Sequence, residues 1–297
     1  MSYTNRPKTF TLISCHFGDP FWINMMLDRF SIFSSSSEIK EVHLTDQSAS
    51  GFGEIYPPLV LKPSLFRDIV VHKVNPSHPN HSSIHHGSSI NFLIHNVDFS
   101  TSHVILTDSD CFPVNSLWSD NLQFLLQTYD AVCALEDNSS FLTHPCFMVI
   151  PAEMINKLDF LKHTQEYWID TGRLVGLQLI ELGYKVYFLQ PKKVFPFASS
   201  SRYYLDQSFV HIGSSSFRGI KLTNDLTFGL LSDAKFAISR NIAEKRFSVF
   251  NREYISRSVS YFPICAFYFL RGLASNLFFS FLRMPAFSIQ KIRRLLR

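Results

Sequence analysis

The chain has 297 residues, 46% of them hydrophobic and 18% charged, which excludes a disordered or fibrous protein and allows one large domain with an appendage. Of 28 basic residues, seven lie from Ile255 onward with no acidic residue among them, leaving 21 against 24 acidic residues in the first 254 positions. The five cysteines form no CxxC pair, so neither a disulfide framework nor a zinc ribbon is expected. A reducing cytoplasm is the expected setting, and the polar start Met1 to Lys8 lacks the apolar run of a secretory signal.

The body alternates strand and helix patterns. Thr9 to Ser14 reads as a strand, and Pro20 to Phe33 shows helical apolar spacing through Phe21, Met25, Leu27 and Phe30. After a serine-rich break come a second strand at Glu41 to Leu44 and a third apolar run at Asp68 to Val74. A His- and Pro-rich loop leads into a helix near Ser82 to Val97, followed by a buried-strand pattern at His103 to Thr107. This order predicts an α/β fold, a mostly parallel sheet covered by helices. Further on, strands are expected at Ala131 to Leu135, Cys146 to Ile150 and Lys185 to Leu189. A helix is expected over Thr171 to Leu182, ending at Gly183 as C-cap. The fingerprints GxGxxG and GxxxxGK[ST] are absent, which argues against a dinucleotide oxidoreductase and a P-loop NTPase.

The strongest local signal is Val104-Ile-Leu-Thr-Asp108-Ser-Asp110. An apolar strand ends in carboxylates at i and i+2, which project to one side of an extended backbone. Ligands of open parallel sheets bind at the carboxyl ends of strands, and two hard oxygen donors there suit Mg²⁺ or Mn²⁺ bound to a diphosphate. The plain alternative is a polar strand-to-loop junction with an Asx turn at Asp110. A second strand ends in Asp46, placed to accept hydrogen bonds from a base or ribose. The helix ahead of the Asp108 strand carries Asn91, and Asp170 precedes the late helix, where an N-cap is the plain reading. His78, His81, His85 and His86 lack a companion cysteine or an HExxH helix, so no zinc site is expected there.

Taken in order, these pieces resemble the family-two-like glycosyltransferases of GT-A fold, over roughly residues 9 to 220. The late helix even ends in the Gly183-Tyr-Lys-Val186 run typical of that family. The resemblance implies a metal-dependent, inverting transfer of sugar from a nucleotide-diphospho-sugar to a hydroxyl of a glycan or glycolipid. It implies a donor half at about 9–115 and an acceptor half at about 116–220, within a catalytic domain of 1–254. Asp46, Asn91, Asp108 and Arg218 would bind the donor, and Asp108, Asp110 and His211 a manganese or magnesium ion. Asp170 would take the proton of the acceptor hydroxyl, with Glu136, Asp137 and His144 near the acceptor. The sequence departs from the family pattern at Ile90-Asn91, where Arg-Asn is usual, and at Ile169-Asp170, where Glu-Asp is usual. Two alternatives stand beside this reading. One is a sugar nucleotidyltransferase, whose Gly-rich N-terminal loop Ser14-Cys-His-Phe-Gly18-Asp does not supply. The other is a non-catalytic GT-A-like protein of envelope assembly.

Residues 255–297 combine a Phe-rich run from Ser260 with basic residues at Lys291 to Arg297. Arg271 and Asn276 near the middle of that run disfavour a spanning helix. An in-plane amphipathic tail on an anionic membrane surface is expected instead, with a helical cap on the core as the alternative. Peripheral attachment to the inner face of the membrane would suit a lipid-linked acceptor. The slightly acidic body carries no nucleic-acid motif, so no nucleic-acid partner is expected.

Overall fold

The computed structural model describes residues 7–16, 20–34, 38–47, 59–63, 66, 68–74, 82–138, 142–162, 170–193 and 202–212. All of them belong to the first of the chain's two units, Met1–Asn241. Arg218 and the expected C-terminal tail lie outside the described residues.

The elements run β1 (Phe10–His16), α1 (Pro20–Phe33), β2 (Ile39–Asp46), β3 (Ile69–Lys73), α2 (Ser82–Asn96) and β4 (His103–Asp108). There follow β5 (Cys111–Pro113), α3 (Leu117–Leu125), β6 (Ala131–Leu135), β7 (Thr143–Pro151), α4 (Ala152–Ile155), α5 (Val175–Glu181) and β8 (Val186–Leu189). Three short strands close the series: β9 (Lys192–Lys193), β10 (Arg202–Tyr204) and β11 (Phe209–His211).

Seven strands form the main sheet in the order β3-β2-β1-β4-β7-β6-β8. All are parallel except β7, which runs against both β4 and β6. The fold is thus the mostly parallel, helix-covered α/β architecture that the sequence leads one to expect. Every residue of β1 is buried, as a central strand covered on both faces requires. The core beneath the helices joins Ile13, Val104, Leu106, Cys133, Met148 and Ile150 of the sheet to Ile90, Leu93 and Ile94 of α2 and Val175 and Leu179 of α5.

Register places the functional edge. Cys15 pairs with both Thr45 and Asp108, so the carboxyl ends of β1, β2 and β4 finish level. β7 runs the other way, and Thr107 opposite Phe147 puts the start of β7 beside the end of β4. A second, antiparallel sheet, β5-β11-β10-β9, begins immediately after Asp110. An aromatic cluster seats it: Phe209 of β11 stacks 4.2 Å from Phe147 of β7 and contacts Phe30 of α1 and Trp118 of α3. Strands of two or three residues carry no periodic signal, so the sequence reading did not find this sheet. It also missed α3.

One expected helix is shorter than predicted. Residues 171–174 form turns, and α5 begins only at Val175, with Leu174 as its N-cap. Gly172 adopts φ +71°, and Thr143 of β7 captures the neighbouring carbonyls, its hydroxyl bonding Gly172 O at 2.6 Å and its amide Arg173 O at 3.0 Å. Asp170 is therefore not the cap of α5. At the other end Gly183, at φ +87°, closes the helix with the paired bonds Gly183 N to Ile180 O and Tyr184 N to Leu179 O, as expected.

Candidate metal centre and active site

Asp108 ends β4 and Asp110 lies two residues on, in the turn that opens β5. β11 pairs with β5 so that His211 stands opposite Cys111, and Ile212 N bonds Asp110 O at 3.0 Å. That pairing carries His211 Nε2 to 3.4 Å from Asp110 Oδ1 and 3.7 Å from Asp108 Oδ2. One ligand atom from each of the three residues lies within 4.8 Å of the others, a grouping able to hold a metal ion. Two carboxylates and an imidazole suit a hard or borderline divalent cation. Asp108 Oδ1 is buried and accepts no hydrogen bond, its neighbour His86 Nε2 standing 3.5 Å away, so the oxygen suits a cation. Burial raises the carboxyl group of Asp108 above the usual range, against the opposing pull of His86 and His211. Burial works against charging His211, yet Cys146 and Asp110 outweigh it and hold the imidazole well above its ordinary value.

α2 contributes from the same edge. A helix following a parallel strand starts at that strand's carboxyl end, so the first turn of α2 points towards the end of β4. His86 Nε2 lies 3.5 Å from Asp108 Oδ1. Ser83, one turn earlier on the same helix face, donates its hydroxyl to Asp170 Oδ1, which also accepts the Thr171 amide at 2.9 Å. The Thr171 hydroxyl reaches back to Ser83 O. Gly87 sits between, where a Cβ would come within 2.5 Å of Leu161 and 3.1 Å of the Thr171 hydroxyl. Asp170 is exposed and tied to the helix turn that faces Asp108.

The other expected residues occupy distinct places. Asp46 ends β2, buried, level with His16 of β1. Asn91, two turns beyond Ser83 on α2, gives its amide to Asp159 Oδ1 at 2.9 Å and accepts the Phe160 amide at 3.0 Å. It brackets the segment whose Phe160 O in turn receives Gly172 N. Glu136 and Asp137 follow the carboxyl end of β6, and Arg173 holds Glu136. His144 opens β7, accepts the Cys146 amide at 3.1 Å, and stands with its ring 5.0 Å from that of His211.

Two participants escaped the sequence reading. His86 was weighed only with its neighbouring histidines as a zinc candidate, although its place near the start of the helix before β4 was a usable signal. Cys146 is buried between His144, His211 and Cys111. Burial opposes its ionisation, but Cys111 and the two imidazoles outweigh it and depress its thiol well below the ordinary value.

No protein-family model matches the sequence, and no curated protein is similar to it. Solved structures similar to the chain include the mannosyltransferase PcManGT from Pyrobaculum calidifontis in complex with GDP-Man and Mn²⁺, at 12% identity and TM-score 0.43, over 62% of this chain and 55% of that one. The glycosyltransferase GlyE of Streptococcus pneumoniae is similar at 12% identity and TM-score 0.38, over 62% and 45%. So is the 4-diphosphocytidyl-2C-methyl-D-erythritol synthase of Anaerococcus prevotii, at 12% and 0.40, over 62% and 90%. The chain spans about half the length of the first two. At this degree of likeness nothing about activity passes from them to this chain.

Proposed function

We propose that the protein is a metal-dependent glycosyltransferase that moves a sugar from a nucleotide-diphospho-sugar to a hydroxyl of a glycan or lipid-linked glycan. The observation that carries this reading is the convergence of Asp108, Asp110 and His211 at the carboxyl edge of a parallel sheet, where such folds bind ligands. A divalent manganese or magnesium ion held there would offset the negative charge of the departing diphosphate.

The chain's own residues supply the rest. Asp46, level with the same edge, faces the donor's nucleoside, and Arg218 is assigned to the phosphates by charge and its place shortly after His211 in the sequence. Asn91, expected to bind the donor, instead braces Asp159 and Phe160, and the Phe160 carbonyl receives the amide of Gly172, two residues after Asp170. Asp170 accepts the proton of the acceptor hydroxyl as that oxygen bonds to the anomeric carbon and the bond from that carbon to the diphosphate breaks. Its Oδ1 is occupied by Ser83 and Thr171, so Oδ2 is the oxygen that takes the proton. Glu136, Asp137 and His144 flank the acceptor side at the ends of β6 and β7. The inverting course rests on this role of Asp170.

The basic, Phe-rich residues 255–297 support attachment to an anionic membrane at the cytoplasmic face, where a lipid-linked acceptor would be met. Among the described residues no helix is long and apolar enough to cross a membrane. The reading is tested by thermal melting of the purified protein against a panel of nucleotide-sugars with Mn²⁺ or with chelator. One donor should raise the melting temperature only in the presence of metal, and its turnover should release nucleoside diphosphate. Release of pyrophosphate from a nucleoside triphosphate supplied with a sugar phosphate would instead identify a nucleotidyltransferase, and stabilisation by none of the donors would contradict the proposal.

A further inference from the structure

We propose that His144, Cys146 and His211 form a second cation site, suited to a zinc-class ion, beside the carboxylate cluster and sharing His211 with it. The three residues each present a ligand atom, all within 4.8 Å of one another. His144 and Cys146 stand at i and i+2 on β7, so their side chains share one face of the strand. His211 comes to them from the other sheet, its ring 5.0 Å from that of His144. A tetrahedral zinc ion bound at roughly 2.0–2.3 Å keeps its ligand atoms roughly 3.3–3.7 Å apart, so the side chains close in by no more than about 1.5 Å.

Ligand chemistry separates the two sites. The Asp108–Asp110 side offers carboxylate oxygens, which favour Mg²⁺ or Mn²⁺, whereas a thiolate with two imidazoles favours zinc and its surrogate cobalt. Cys146 and His211 are buried and His144 is half-buried. The Cys146 backbone is itself fixed, its carbonyl receiving the Thr107 hydroxyl at 3.1 Å. Because β7 belongs to the main sheet and β11 to the small one, an ion here pins the two sheets together at the site's edge. Sequence spacing could not show this, since two ligands come from one strand and the third from a distant hairpin.

The test is a titration of the full-length, reduced protein with Co²⁺, read by absorbance. Thiolate ligation gives a sulfur-to-cobalt charge-transfer band in the near ultraviolet, which carboxylate and imidazole ligands alone do not. The wild type should show the band, and Zn²⁺ should remove it and raise the melting temperature. Asp110→Asn should keep the band. Cys146→Ala should lose it, and His144→Gln should weaken or lose it, with circular dichroism confirming that each variant is folded. If Cys146→Ala does not fold, the His144→Gln spectrum and the wild-type zinc competition decide. No band in the wild type, a band that survives Cys146→Ala, or one that disappears in Asp110→Asn would overturn the second site. Mn²⁺-dependent donor binding is read separately, so failure here leaves the transferase proposal standing or falling on its own test.

Discussion

His86 Nε2 lies 3.5 Å from Asp108 Oδ1, so the N-terminal end of α2 fixes a carboxylate that the end of β4 delivers. One turn earlier the same helix holds Asp170 through Ser83, which couples the proposed metal ligand and the proposed base to one rigid element. Replacing His86 by Phe should therefore loosen Asp108 without removing a ligand. Outer-shell changes of this kind cost roughly 10- to 100-fold in metal affinity or activity. Mn²⁺ affinity should fall in that range while the melting temperature of the metal-free protein stays near wild type. An unchanged affinity would show that His86 is a bystander.

Asp170→Asn removes a proton acceptor and keeps the hydrogen bonds from Ser83 and Thr171 to the side-chain oxygen. Transfer should slow by ~10²–10⁴, with donor binding retained. Turnover within a factor of a few of wild type would remove the base assignment and favour a retaining course.

His103 gives a pH dependence away from the site. Burial lowers its pKa from 6.5 to about 4, with Lys8 adding to the shift and Asp130 opposing it. As pH falls through 6.5, the unfolded chain takes up a proton that the folded chain refuses until pH 4. Stability is then lost between those values, by about 3 kcal/mol for this group. Urea unfolding of wild type and His103→Gln at pH 7 and pH 4.5 checks this. The difference between the two proteins should narrow or reverse at the lower pH. A difference that does not change with pH would contradict it.

Residues 255–297 are expected to bind anionic vesicles, and the truncated chain 1–254 should lose that binding while keeping its melting temperature. High salt should weaken the interaction of the full chain, since exposed charges are screened. Early melting or aggregation of the truncated protein would instead mark the segment as a cap on the core.

Much of the main sheet was legible because its strands are long, apolar and regularly interleaved with helices. β4 and β6 and helices α1 and α2 fall within a residue or two of expectation. Asp108 and Asp110 were readable together because a strand ending in alternating carboxylates announces itself locally. His211 was readable only through the family resemblance, since what brings it to Asp110 is a three-residue strand in a sheet without periodic signal. The start of α5 was misjudged because the apolar spacing after Asp170 continues through Gly172. The interruption comes from Thr143, on another strand, which no local pattern reports. Cys146 was invisible for the same reason: its significance lies in neighbours from three separate segments.

The central claim is that Asp108, Asp110 and His211 hold the cation to which the donor binds. Electron paramagnetic resonance of free Mn²⁺ tests it most directly, by titrating the metal into wild type and Asp110→Asn with and without the best nucleotide-sugar. Wild type should remove one Mn²⁺ per chain from solution, more tightly with donor present, and Asp110→Asn should leave the free-ion signal nearly undiminished. Equal uptake by the two proteins, or none by wild type with donor, would contradict the account.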